Sequence, residues 1–330
     1  MPFAVCKVPM EHVQDTAGIE AAMQQWNFGA DDIVAVVAKT EGNGGVNDIS
    51  RILVDRVLRD FLVAKGSRTR AQALQVPIVL SGGCDGVISP HYNVFARVPE
   101  DDSSRASKDD LRLTVGFAVS EKILPEEIGR LPMVEKVAAA VKKAMKEAGI
   151  SDPKDVHFVQ TKTPLLTAER IADAKRRGKD VFKTEMMESM AVSNATAALG
   201  IGVGVGEFPL PREEQIARDL NLYSAVASCS SGVEQDEAQV VVVGNRKGIG
   251  GRFRIGHSEM KDVLDVEGIY DAIRKAGLPL PERARPADLG GALVNCFIKC
   301  ETDPTGGCMG GARSRSTTPT FTIHITRRPW

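Results

Sequence analysis

The sequence predicts an α/β protein built of three similar α+β repeat units, the third of them truncated. Two observations carry this. Apolar, strand-like runs alternate along the chain with segments whose apolar residues recur at helical spacing. A strand ending on a lysine also occurs three times, at Lys39, Lys162 and Lys299. Twice it is followed by a helix and a second strand that ends in a Ser-Gly turn, Ser81-Gly82 and Ser231-Gly232. An ordered set that returns in this way marks internal duplication.

The first unit, 1–104, opens with a strand at 3–8 and a helix at 19–26 carrying Ile19, Met23 and Trp26 on one face. A buried strand at 32–38 leads to Lys39, and a helix at 49–63 has its apolar residues at Ile52, Leu53, Val57, Leu58, Phe61 and Leu62. The strand at 76–80 ends on Ser81. A polar, turn-rich linker at 99–110 separates it from the second unit, 111–248. That unit repeats the order with a strand at 111–119, an amphipathic helix at 133–148, a strand at 156–160 reaching Lys162, and a helix at 186–199. The Ser231 turn and the apolar strand at 240–243 follow. The third unit, 252–330, has a strand at 252–255, a helix at 266–276 and a strand at 293–299. Its serine, placed by the spacings of the first two units, would fall beyond Trp330, so this unit is expected to be incomplete. The stretch 306–330 shows no periodicity, carries Arg313, Arg315, Arg327 and Arg328 among threonines, and is not expected to close a packed domain.

Composition narrows the functional classes. Hydrophobic content of 43%, charged content of 26% and a net charge of -1 describe a globular chain with no electrostatic reason to seek nucleic acid or an anionic membrane. Small molecules and further copies of the chain are the expected partners. The six cysteines include no CxxC pair, and His91, His157 and His257 share no metal-ligand spacing. With no signal-like N-terminus and no long apolar run, the expected location is cytoplasmic. The glycine run at 200–207 matches a phosphate loop in glycine count alone, since it follows a helix instead of opening one.

Lysine at a strand end beside serine on a glycine turn suits acyl chemistry. Serine attacks a carbonyl only when a base takes its proton, and a desolvated lysine can be that base. Glycine next to the serine lets backbone N–H groups approach the oxyanion of a tetrahedral intermediate. For any single lysine the plainer reading is a solvated charge, and for any single Ser-Gly a tight turn. Recurrence of both in the same order weakens that plainer account.

Three stretches carry a family resemblance: Lys39-Thr40-Glu41-Gly42-Asn43-Gly44-Gly45-Val46-Asn47-Asp48, Ser81-Gly82-Gly83 with Gly86-Val87-Ile88-Ser89-Pro90-His91, and Ser230-Ser231-Gly232-Val233-Glu234. They resemble the ring-opening amidohydrolases, the cyanuric acid hydrolases and barbiturases, over nearly the whole chain to about Gly306. The resemblance implies three units about a pseudo-threefold axis with a central β-barrel-like core, and hydrolytic ring opening of a small cyclic amide or imide. It implies Ser231 as nucleophile and Lys162 as base, with Lys39, Arg51, Ser81, Gly82, Asn194, Gly232 and Lys299 holding the ring. No cofactor is implied for the chemistry; Glu301 falls where the family places a ligand to a structural divalent metal, magnesium or calcium. A homotetramer is also implied.

Two departures stand out. Asn194 occupies a position where cyanuric acid hydrolases carry arginine, which points to a ring other than cyanuric acid. In the tail, Thr317-Thr318-Pro319-Thr320-Phe321-Thr322 reads as a one-base-shifted version of an Asn-Asp-Ser-Asp-Ile-His segment, so 307–330 is expected to be aberrant. The alternative function is accordingly that of a catalytically impaired relative that binds a ligand or partner.

Overall fold

The computed structural model describes residues 1–45, 47–84, 88–100, 110–219, 221–261 and 265–298, with the backbone alone of 299 and 320–327. Three sheets form its frame, and the first two have one topology. In the first sheet, β1 (Phe3–Pro9), β4 (His91–Arg97), β2 (Ile33–Lys39) and β3 (Ile78–Ser81) lie in the order β1-β4-β2-β3. β4 is antiparallel to both β1 and β2, and β2 with β3 is parallel. In the second, β5 (Arg112–Lys122), β8 (Glu237–Arg246), β6 (Val156–Pro164) and β7 (Ala227–Gly232) repeat that order and those directions. The third has β9 (Phe253–Met260), β11 (Thr320–Arg327) and β10 (Leu293–Lys299), with β11 in the middle and antiparallel to both.

β2, at Ile-Val-Ala-Val-Val-Ala-Lys, is apolar and buried up to the half-buried Lys39, as a strand covered on both faces must be. One face packs on helices, as sheet two does on α4 (Leu131–Ala148). Gly116 of β5 lets that helix approach: a Cβ there would collide with Ala144 O and Ala148 N. Gly256 of β9 has the same relation to Ala272 O and Ala276 N beside α7 (Val266–Lys275). The other faces meet across one core that draws on all three sheets. Phe297 of β10 stacks on Phe158 of β6 at 4.9 Å and on Phe95 of β4 at 6.4 Å between ring centroids.

Three expectations need correction. The helix placed at 186–199 is α6 (Met186–Val205), which runs through most of the glycine-rich stretch. Gly200 and Gly204 sit against Val137 and Val141 of α4, where a Cβ would collide, so these glycines serve close helix packing. The tail is not expected to close a packed domain, yet Thr320–Arg327 is the central strand of sheet three. Its sequence alternates Phe321, Ile323 and Ile325 with polar residues, a period-two signal outweighed by the arginines around it. β4, the second strand in sheet one, went unrecognised because its buried Tyr92-Asn93-Val94-Phe95-Ala96 run follows a Ser-Pro turn. The linker at 101–109 and the metal-ligand position Glu301 lie outside the described residues.

Candidate active site

Two of the strand-end lysines, Lys39 and Lys162, reach the end of β3 and the turn after it. Lys162, near the end of β6, is buried to 1% exposure, a costly position for an ammonium unless it is paired. Its Nζ donates to Leu80 O of β3 at 3.0 Å and lies 3.3 Å from Glu234 Oε1. Lys162 thus reaches out of its own sheet to the strand that ends on Ser81. Lys39, half-buried at the end of β2, donates through Nζ to Gly82 O at 2.5 Å.

Strand register aligns the two units residue by residue. Lys39 pairs with Ser81 across β2 and β3, and Lys162 pairs with Ser230 across β6 and β7. The partner of Ser231 is Thr163. This corrects the equivalence of Ser231 with Ser81, which rested on the glycine that follows each; the counterpart of Ser81 is Ser230. Side chains alternate along a strand, so a shift of one residue changes the face. Ser228 and Ser230 line a cavity of about 890 Å³ together with Lys39 and Ser81. Ser231 is buried at 2% exposure on the opposite face, and its Oγ donates to Met190 O of α6 at 3.3 Å. Ser230 Oγ donates to Thr161 O at 3.3 Å. As β7 is the edge strand of its sheet, backbone N–H groups on its outer side are available to a ligand.

Asp48 organises the first unit's half of the site. It is the N-cap of α2 (Ile49–Lys65): its Oδ1 accepts from Ser50 N at 3.0 Å and its Oδ2 from Gly44 N at 2.9 Å. The same carboxylate occupies the space a Cβ on Gly82 would need, so the Ser81-Gly82 turn and the Gly42–Gly45 loop can close over it only with glycine at both. Gly83 N donates to Gly42 O at 2.9 Å and completes that contact. Arg51 is buried against this loop, donating to Gly45 O, with its Nε 3.9 Å from Asp48. Asn194, on α6, keeps a buried Oδ1 with no hydrogen-bond partner. Of the ring-holding set, Lys39 and Ser81 line the cavity; Gly82, Arg51, Asn194 and Gly232 are not among its lining residues, nor are Lys162 and Ser231. Lys299 ends β10, and its side chain lies outside the described residues.

Local sequence pattern assigns no role to Glu234 or to Asp48. Glu234 folds back over Gly232, where a Cβ would collide with its carboxylate, and its Oε2 is buried without a partner. A Gly followed two residues later by an acid beside a strand-end lysine was the available signal. His91, at the cavity wall, is held below the ordinary histidine range by burial and by the positive charges of Lys7 and Lys39, against a bond to Ser89 O. Among the described residues no group of three or more His, Cys, Asp or Glu is placed to hold a metal ion, and no helix is long and apolar enough to cross a membrane.

Two lysine–serine strand pairs thus stand in matching register, and Lys39, Ser81 and Ser230 of these pairs line one cavity. The family model described as "Amidohydrolase ring-opening protein" matches residues 4–328. The chain belongs to the ring-opening amidohydrolase family. Barbiturase 2 of a Nocardioides species is 57% identical over 311 residues, covering 94% of this chain and 83% of that protein. A cyanuric acid amidohydrolase of Enterobacter cloacae is 38% identical over 309 residues, 93% of this chain and 83% of that one. A solved structure described as "Cyanuric acid hydrolase: evolutionary innovation by structural concatenation" superposes with a TM-score of 0.89 at 32% identity, covering 99% of each chain. Family members thus share the mixed α/β fold with its two four-stranded sheets.

Proposed function

We propose that this protein opens a cyclic amide or imide ring by hydrolysis, with a β7 serine as nucleophile and Lys162 as its base. The observation that carries the reading is the shared register of Lys39 with Ser81 and of Lys162 with Ser230, with Lys39, Ser81 and Ser230 lining one cavity. Ser230 is therefore the nucleophile we propose, in place of Ser231. Neutral Lys162 takes the proton of Ser230 Oγ, and the oxygen attacks a ring carbonyl. Outward N–H groups of β7 receive the oxyanion, worth about 3 kcal/mol per donor. The ring C–N bond breaks as the proton passes from Lys162 to the leaving nitrogen. Water, deprotonated in the same way, then cleaves the ester and leaves a carboxylate and free Ser230.

In this reading Ser81, Gly82 and Lys39 hold a second edge of the ring, and Lys299 a third. Arg51, Asn194 and Gly232 complete the site, the three units are disposed about a pseudo-threefold axis, and the chain assembles as a homotetramer. A structural magnesium or calcium at Glu301 enters no step. Barbituric acid is the substrate we favour over cyanuric acid. Asn194 offers an amide where cyanuric acid hydrolases carry arginine, and the barbiturase relative stands at 57% identity against 38% for the cyanuric acid amidohydrolase.

The test follows loss of ring absorbance with barbituric and cyanuric acid. Ser230→Ala is expected to lower kcat by about 10³-fold or more. Ser231→Ala, which forfeits one bond to Met190 O, should stay within about tenfold of the parent. The reverse ranking would return the nucleophile to Ser231. No turnover of any ring by the parent chain would favour the ligand-binding alternative.

A further inference from the structure

The cavity wall contributed by sheet one carries two rows of side chains. Across β1, β4 and β2 the register aligns Pro9, His91 and Lys39, and, two residues along, Lys7, Asn93 and Val37. The first row continues to Ser81 and belongs to the site already described. Nothing in the ring-opening scheme uses Lys7 or Asn93.

Both have features of a recognition subsite. Asn93 is 2% exposed; its Nδ2 donates to Val37 O at 3.2 Å, which fixes the amide's orientation, and its Oδ1 is buried without a hydrogen-bond partner. A buried acceptor left unmatched costs free energy unless a ligand donor meets it. Lys7 is its neighbour in the ladder and an exposed side chain on the cavity wall. The ammonium acts on groups of two units: its charge is felt by His91 of sheet one and by Cys296 of sheet three. Among the described residues that line the cavity the charged groups are Lys7 and Lys39, with His91 between them and no carboxylate. The two rows stand about 7 Å apart along the strand, a span that one six-membered ring with its hydrogen bonds can bridge.

We propose that Lys7 and Asn93 form an anion-reading subsite, so that the cavity takes up its ring in ionised form, the Lys7 ammonium facing the enolate or imidate oxygen and Asn93 Oδ1 accepting the adjacent ring N–H. The substrate class is then an acidic cyclic ureide, one that carries a negative charge at neutral pH next to an intact N–H. Neutral rings of the same size bind more weakly because they gain nothing from the ammonium, which is exposed and stays hydrated beside them. Lys7 is a specificity-determining residue, and this assignment rests on the ring-opening reading of the same cavity.

The experiment compares the parent chain with Lys7→Met and Lys7→Arg at neutral pH, using barbituric acid as the ionised ring and 5,6-dihydrouracil as a neutral one. Calorimetric titration reads binding of each; steady-state assays separate KM from kcat for barbituric acid. Lys7→Met is expected to weaken barbiturate binding and raise KM by about tenfold with kcat within twofold, consistent with loss of one charge-assisted contact. Lys7→Arg should restore binding to within threefold, and affinity for the neutral ring should not change in either variant. Equal weakening of both rings would assign Lys7 a merely structural role and overturn the proposal, as would unchanged barbiturate binding in Lys7→Met or no barbiturate binding by the parent. A parent that binds barbiturate through Lys7 but never opens it would overturn the ring-opening reading while leaving the subsite in place.

Discussion

Acid should loosen the boundary between the second and third sheets, and His157 and His257 set the size of the effect. Their rings face each other from β6 and β9 with Nδ1 atoms 2.8 Å apart, so one ring donates and the other accepts, both neutral. Burial above all, then His257, Arg254 and Lys275, holds His157 far below the ordinary 6.5. Burial and Lys275 hold His257 down to about 4. A histidine with a depressed folded value costs nothing above pH 6.5; as pH falls below it the unfolded chain takes protons that the folded chain refuses, and stability drops. At pH 5 the interval of one and a half pH units is worth about 2 kcal/mol per ring and about 4 kcal/mol for the pair. The variant His157→Gln/His257→Gln keeps a hydrogen bond between neutral amides and removes both titrations. Urea unfolding of parent and variant at pH 7.5, 6 and 5 reads the difference in slope. If the two lose stability in parallel down to pH 5, the rings are not held neutral and the reasoning fails.

Three further outcomes are expected. Glu234→Gln retains the shape beside Lys162 but removes the carboxylate 3.3 Å from its buried Nζ, so the fold should lose about 3 kcal/mol in urea titrations, since the ammonium is left without that charge. Gly116→Ala should destabilise the fold by about 2 kcal/mol in urea titrations, because its Cβ meets the backbone of α4, which cannot step aside as a flexible side chain would. Arg59→Met should cost about 3 kcal/mol by the same assay: the buried guanidinium donates to Ala73 O and Val76 O at 2.5 Å each and pairs with Asp55 at 3.1 Å, and all three acceptors would lose it.

Local patterns in the chain determined a good deal. The apolar runs at β2 and β6, the amphipathic face of α4, the strand-end lysines and the family motifs were all legible, because each depends on neighbours within a few residues and on side-chain periodicity. So was the duplication, which tertiary structure expresses as one strand order in two sheets. Which serine faces the cavity was not legible. Ser230 and Ser231 are adjacent and chemically identical, and only the parallel register of β6 with β7 decides that one lies opposite Lys162 while the other is turned into α6. The roles of Asp48, Glu234, Lys7 and Asn93 were hidden for the same reason: each acts on a group brought to it by strand pairing or chain reversal, from Asp48 under Gly82 to Lys7 beside Asn93. Sequence fixes what each strand can be; the register between strands, a matter of long-range packing, decides which residues share a face and hence which can share a substrate.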